Sequence, residues 1–232
     1  MYSIAHILFF VRNLTLIFLS SIIRLTSDVK RFLKCGTKGG KMYHIKNDRR
    51  AIRTSQMLYD ALVVLMGQKK FEKIKVSDLI KEAGVGRATF YRHFDTIEDI
   101  LRMRSDQTID DLLTYLIIYR QTHNIKNRWG LLKPFLRYFY LDSTIVELLI
   151  QAERVHILQA SFYKRIEPIK QVAVGLLDAP PEYIEYGMVI RVGVAISILT
   201  QWIKSGKQKA PDQLADELSG LAKRMITVDQ FM

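Results

Sequence analysis

Apolar side chains recur at three- and four-residue steps along most of the chain, the spacing of one face of an α-helix. The first such run holds Ile52, Leu58, Ala61, Leu62, Leu65 and Met66. Asn47 can cap it and Gly67 is placed to end it. A short basic connector follows, with Lys69, Lys70, Lys73 and Lys75 around Phe71 and Ile74. Val76–Ala83 reads as a short helix capped by Ser77, with Leu79, Ile80 and Ala83 turned inward. Gly84-Val85-Gly86 is a tight turn in which Gly84 can take positive φ. Arg87 to Phe94 is the next short helix; Phe90 and Phe94, four apart, share its core face. Arg87, Thr89, Tyr91, Arg92 and His93 then fall on its other sides. Thr96 and Asp99 have the spacing of a capping box at the start of a long helix over 97–120.

The remaining pattern is also helical. Trp129–Tyr140 is short and aromatic, with Pro134 at a kink or in its first turn. Asp142 or Ser143 can cap a helix to about Phe162, and a further segment spans 166–177 with Pro168 near its start. Pro181–Ser205 is apolar nearly all round and stops at Gly206. Pro211 opens a last helix over 212–226, with Leu214, Leu218, Leu221 and Met225 as one stripe. The pattern contains no strand signal, so the fold class is all-α. An N-terminal three-helix helix-turn-helix domain over 42–100 is followed by a helical bundle over 101–232.

Charge narrows the partner. The chain of 232 residues carries a formal +12. Residues 1–41 hold 7 Lys+Arg and 1 acid, residues 42–104 hold 13 and 8, and the remainder 15 and 14. The helical bundle is therefore nearly neutral, and the basic excess that would attract a polyanion lies in the first hundred residues. Its first part is an apolar leader interrupted by Arg12 and Arg24. Neither uninterrupted run reaches the roughly 20 residues that span a bilayer. As a single span it would place Arg12 near mid-membrane at about 2.5–3.5 kcal/mol. The tract Lys38-Gly39-Gly40-Lys41-Met42 can be encoded as a purine-rich ribosome-binding sequence just ahead of an ATG. The expectation is that Met42 starts the native chain and that residues 1–41 are translated upstream DNA or disordered. The alternative is a membrane-tethered regulator using residues 1–25.

Helix, glycine-containing turn, helix is the helix-turn-helix pattern. Its second helix offers donors for phosphates and base edges, with a flat ring that packs on sugar or a thymine methyl. Arg53 through Leu101, and above all Ala83-Gly-Val-Gly-Arg-Ala-Thr-Phe-Tyr-Arg-His-Phe94, resembles the DNA-binding domain of the TetR family of bacterial transcriptional regulators. The resemblance implies that Thr89, Tyr91, Arg92 and His93 face DNA, and that Ser77 and Arg87 touch phosphates or flanking bases. The family often carries Lys on both sides of the position of Thr96; here Asp95 and Ile97 stand there. The helix start at Thr96 still offers backbone N–H groups to a phosphate.

The same resemblance implies a regulatory domain that dimerises through its last two long helices and encloses an effector pocket. On this chain the dimer residues would be Gly187, Arg191, Val194, Ile198, Leu214, Leu218 and Leu221. The pocket would draw on Trp129, Phe135, Tyr138, Phe139, His156 and Phe162; their plainer reading is core packing. A single cysteine, Cys35, excludes a disulfide framework and a Cys-based zinc site. His-Glu-x-x-His, Gly-x-Ser-x-Gly and a phosphate-binding loop are all absent from the sequence, which disfavours an enzyme, and no metal or cofactor is expected. Gly84-x-Gly86 is not a dinucleotide fingerprint, because Thr89 fills the third glycine position. The expected protein is a cytoplasmic, homodimeric repressor with a palindromic double-stranded operator and a small-molecule effector. A helical half that recruits a protein partner instead is the other reading.

Overall fold

The computed structural model describes residues 43–44, 49–123, 130–176 and 181–227. The leader at 1–41, the Asn47 cap and Trp129 lie outside them. Nine α-helices and one short 3-10 turn, Phe71–Lys73, are present among the described residues. The α-helices are α1 Arg49–Gln68, α2 Val76–Ala83, α3 Arg87–His93, α4 Glu98–Thr122, α5 Leu132–Leu141, α6 Thr144–Gln151, α7 Val155–Leu176, α8 Pro181–Lys204 and α9 Pro211–Thr227. The only extended pairing among these residues is an isolated antiparallel bridge between Tyr43 and Phe94. The fold class is all-α, as the pattern implies.

The chain forms two compact units. The first holds the described residues up to Ile109 together with Thr144–Lys164. Its core is built from Leu58, Leu62 and Met66 of α1, Leu79 of α2, Phe90 and Phe94 at α3, and Ile100 and Leu101 of α4, all fully buried. Each such side chain contributes about 1.5–3 kcal/mol by leaving water. Ile52 is half exposed, contrary to the stripe read from the sequence; Ala51, Ser55 and Tyr59 complete that face instead. Ser55 is tolerated there because its hydroxyl donates to the Ile52 carbonyl at 2.8 Å. Gly67 does not end α1, which runs on to Gln68.

Two further elements differ from the pattern. The stretch expected as one helix to Phe162 is α6 and α7, separated by a corner at Glu153 (φ +56). The Arg154 N–H closes that corner on the Leu149 carbonyl at 2.8 Å. In contrast, α7 runs straight through Pro168, which the pattern took as a fresh start. Ile157, Leu158, Ser161, Phe162 and Ile166 form one buried stripe up to the proline, so packing outweighs the backbone bond that proline removes.

The second unit holds Asp110–Ser143 and the described residues from Arg165 onward. Pro134 sits in the first turn of α5. There α5 lies against α9, with Arg137 donating to both oxygens of Asp212 (2.7 and 2.5 Å) and Lys133 to Asp216 (2.8 Å). Met188, Val192, Ile196, Leu199 and Trp202 of α8 are buried. Gly206 (φ +73) reverses the chain after α8, and the Lys207 N–H closes on the Trp202 carbonyl at 3.0 Å. Trp202 Nε1 donates to the Lys209 carbonyl at 2.9 Å, fixing the loop that leads into α9.

Candidate DNA-recognition surface

The turn between α2 and α3 follows from its two glycines. Gly84 adopts φ +65, ψ +30. Its N–H bonds the Lys81 carbonyl at 3.3 Å, and the Val85 N–H bonds the Ile80 carbonyl at 3.0 Å. That pair of bonds is a Schellman motif, which takes up carbonyls left open at the end of α2. Gly86 then starts α3, its carbonyl accepting from Thr89 and Phe90 N–H at 2.9 and 3.1 Å. Gly84 thus sets where α3 begins, and burial of Phe90 and Phe94 sets which face of it turns outward.

The outward face carries Arg87, Tyr91 and Arg92, all exposed. Tyr91 keeps 47% of its surface free, packs edge-on against Phe90 at 5.1 Å, and lies 5.9 Å from the Arg87 guanidinium. A flat ring beside the Arg87 cation, held by a buried ring beneath it and followed by the exposed Arg92, forms a polar ridge that can enter a groove. Thr89 is half-buried on the same helix. His93 is placed otherwise: it is 4% exposed, with its ring edge-on to Phe94 at 6.5 Å. The helical period brings position 93 back toward the core, so its side chain does not share the ridge.

At α2 the acid, not the serine, closes the helix start. The Asp78 carboxylate accepts from Lys69 Nζ at 2.5 Å and from the Lys75 N–H at 3.2 Å. Both bonds hold Asp78 below the ordinary carboxylate range, the Lys69 bond first. Ser77 lies two positions past the cap residue, Lys75, and stays exposed, its hydroxyl 3.4 Å from Asp78. Thr96 and Asp99 do meet, as their spacing implies: Asp99 accepts the Thr96 N–H at 2.8 Å and its hydroxyl at 2.9 Å. Tyr43 and His44, which the sequence pattern left unassigned, lie against the end of α3; the His44 N–H donates to the His93 carbonyl at 2.8 Å.

The remaining sequence candidates lie on α5, α7, α8 and α9. Phe135 and Phe139 are buried on α5, ring to ring at 5.3 Å, and Tyr138 meets Tyr115 at 5.8 Å. Phe162 is buried on α7 in the other unit, whereas His156 is exposed there. Of the dimer candidates, Val194 and Leu221 are exposed, and Arg191, Ile198, Leu214 and Leu218 are half-buried. Burial pulls Arg191 down to about 10. Gly187 is buried on the inner side of α8. The outer side instead carries Tyr186 (66% exposed), Val189, Ile190 (51%) and Val194. An all-round apolar helix gave no signal to separate those two sides. A groove of about 550 Å³ runs between the ends of α8 and α9, with Ile198, Trp202, Leu214 and Leu218 in its walls. Among the described residues, no cluster of His, Cys, Asp or Glu is placed to hold a metal ion.

Geometry of this kind defines a helix-turn-helix DNA-binding domain. Residues 58–102 match the family model for bacterial regulatory proteins, tetR family. Over 72 residues the chain is 29% identical to the uncharacterized HTH-type transcriptional regulator YxbF of Bacillus subtilis (strain 168). That stretch covers 31% of this chain and 19% of the relative, so the chain spans about a fifth of its length. Two solved structures share the fold. Lin0861 from Listeria innocua has a TM-score of 0.64 at 19% identity, over 79% of this chain and 99% of that one. The fatty acid degradation regulator FadR from Bacillus halodurans has a TM-score of 0.52 at 15% identity, over 76% and 95%. Over residues 58–102 the chain is thus similar to the bacterial regulatory proteins of the tetR family.

Proposed function

We propose that the protein is a homodimeric transcriptional repressor that binds a palindromic operator in double-stranded DNA in the bacterial cytoplasm. The observation that carries this reading is the ridge of Arg87, Tyr91 and Arg92, exposed on a helix whose opposite face is anchored by Phe90 and Phe94. In the proposed complex the two arginines neutralise phosphates and supply affinity, while Tyr91 and Thr89 meet base edges and select sequence. Two such helices, related by a two-fold axis, would enter successive major grooves about 34–36 Å apart. The two-fold contact would form on the outer side of α8. Tyr186, Val189, Ile190 and Val194 make a continuous apolar strip there, of a kind that soluble surfaces seldom leave uncovered. Glu185–Lys204 is also long and apolar enough, by length and composition, to cross a membrane; a second subunit on its outer side would cover the same apolar surface. A small-molecule effector would release the DNA by binding more tightly to a state whose two heads miss the grooves.

The test starts from duplexes that the full chain selects out of a random-sequence pool. Tyr91→Ala should lower affinity for the selected duplex by roughly ten- to a hundred-fold. Sedimentation should show the dimer intact. Unchanged affinity would mean that α3 does not read the DNA.

A further inference from the structure

The recognition helix is fastened from behind by two residues that precede α1. Tyr43 pairs with Phe94 in an antiparallel bridge, and the His44 N–H donates to the His93 carbonyl at 2.8 Å. His93 and Phe94 are where α3 ends, so this strap occupies a carbonyl that a helix terminus leaves open. Tyr43 is held in turn at its far end. Its hydroxyl donates to Asp106 Oδ2 at 2.8 Å, and Lys164 Nζ lies 5.8 Å from its ring centre. Asp106, on α4, is only 4% exposed. It also accepts from Lys164 Nζ at 2.6 Å and from the Ser161 hydroxyl at 2.8 Å. Burial by itself would push this carboxyl up; the bonds from Lys164, Ser161 and Tyr43 together outweigh it and hold the group below its ordinary value. A buried carboxylate is stable only while its donors stay converged on it.

Resting on the DNA-binding reading above, we propose that Asp106 is a positioning residue for DNA recognition, coupling Ser161 and Lys164 of α7 to the end of the recognition helix through Tyr43. The physical chain is short. If Lys164 and Ser161 move away, the carboxylate loses two of its three donors and must turn toward water. Tyr43 then loses its acceptor, the strap leaves the His93 carbonyl, and the last turn of α3 frays. None of the DNA-facing side chains has to change. All four residues belong to one compact unit, and α7 continues past Lys164 to Leu176. A change in α7 therefore has a direct route to the ridge.

Amide hydrogen exchange of the full chain without DNA tests the coupling by itself. Tyr43→Phe, Asp106→Asn and Lys164→Met should each speed exchange across residues 87–94 by roughly ten- to a hundred-fold, the equilibrium factor of one hydrogen bond to a charged acceptor. Exchange in the middle of α1 should stay unchanged, which separates local fraying from global unfolding. Lys164→Arg should restore slow exchange, and the Tyr43→Phe/Lys164→Met pair should be no worse than either change alone. Exchange over 87–94 that stays at the wild-type rate in Lys164→Met overturns the coupling. With a duplex selected by the wild-type chain, affinity should fall in step with the faster exchange; full affinity in a variant with frayed α3 overturns the positioning role. If the wild-type chain selects no duplex, the repressor reading fails, and the exchange data still decide whether the clamp exists.

Discussion

The two glycines of the recognition turn should respond to the same substitution with opposite sign. Gly84 sits at φ +65, and a Cβ built there meets nothing within 4 Å. The cost of Gly84→Ala is therefore backbone strain alone, about 1–2 kcal/mol for an L-residue in the left-handed region. The stiffer unfolded chain returns about 0.4–1 kcal/mol of that. The net loss should be near 1 kcal/mol, a drop in Tm of about 2–4 °C for a chain of this size. Gly86 sits at φ −76, ψ 152, which any residue adopts. Its Cβ would lie 3.9 Å from Thr89 Oγ1, an ordinary contact. Gly86→Ala should be neutral or stabilising by about 0.4–1 kcal/mol. Thermal unfolding followed by circular dichroism reads both. Gly84→Asn should fall between Gly84→Ala and wild type, because Asn tolerates this region better. The reasoning fails if Gly84→Ala melts no lower than wild type, or if Gly86→Ala loses as much.

Other outcomes follow from the same coordinates. Ile190→Asp places a charge in the exposed apolar strip of α8, and sedimentation should show a monomer whose helix content is unchanged; a persistent dimer would move the interface elsewhere. Arg92→Ala should leave stability within about 0.5 kcal/mol, as for an exposed residue. It should also reduce the salt dependence of DNA binding by about one ion, and an unaltered slope would remove Arg92 from the phosphate contacts. Asp106 has a depressed pKa in the folded state, so the unfolded chain binds more protons on acidification. Its stabilisation should be complete above the ordinary carboxylate pKa of about 4 and be lost as pH falls through the lower, folded value. Acid unfolding of Asp106→Asn should be shallower over that window; an identical profile would show that Asp106 does not govern it.

Local chemistry was enough to determine most of the head. The three- and four-residue apolar steps of α1, the glycine turn, the Phe90–Phe94 pair and the Thr96–Asp99 closure all rest on contacts within a few residues. Such contacts are written in adjacent positions, and the arginine–tyrosine ridge follows from them. Helix ends set by competition were less legible. Pro168 lies inside α7 because a buried stripe reaches it, and the α6–α7 corner falls at Glu153 without a glycine or proline to announce it. Tertiary structure alone decided which side of α8 faces outward, since its sequence is apolar on both. It alone placed His93 in the core, because the helical period carries that position inward beside the buried Phe94. It alone brought Tyr43, Asp106, Ser161 and Lys164 together. Those four positions span more than a hundred residues of chain, and no spacing rule connects them. A buried carboxylate collects its donors from wherever the fold passes close by, and only the folded chain shows where that is.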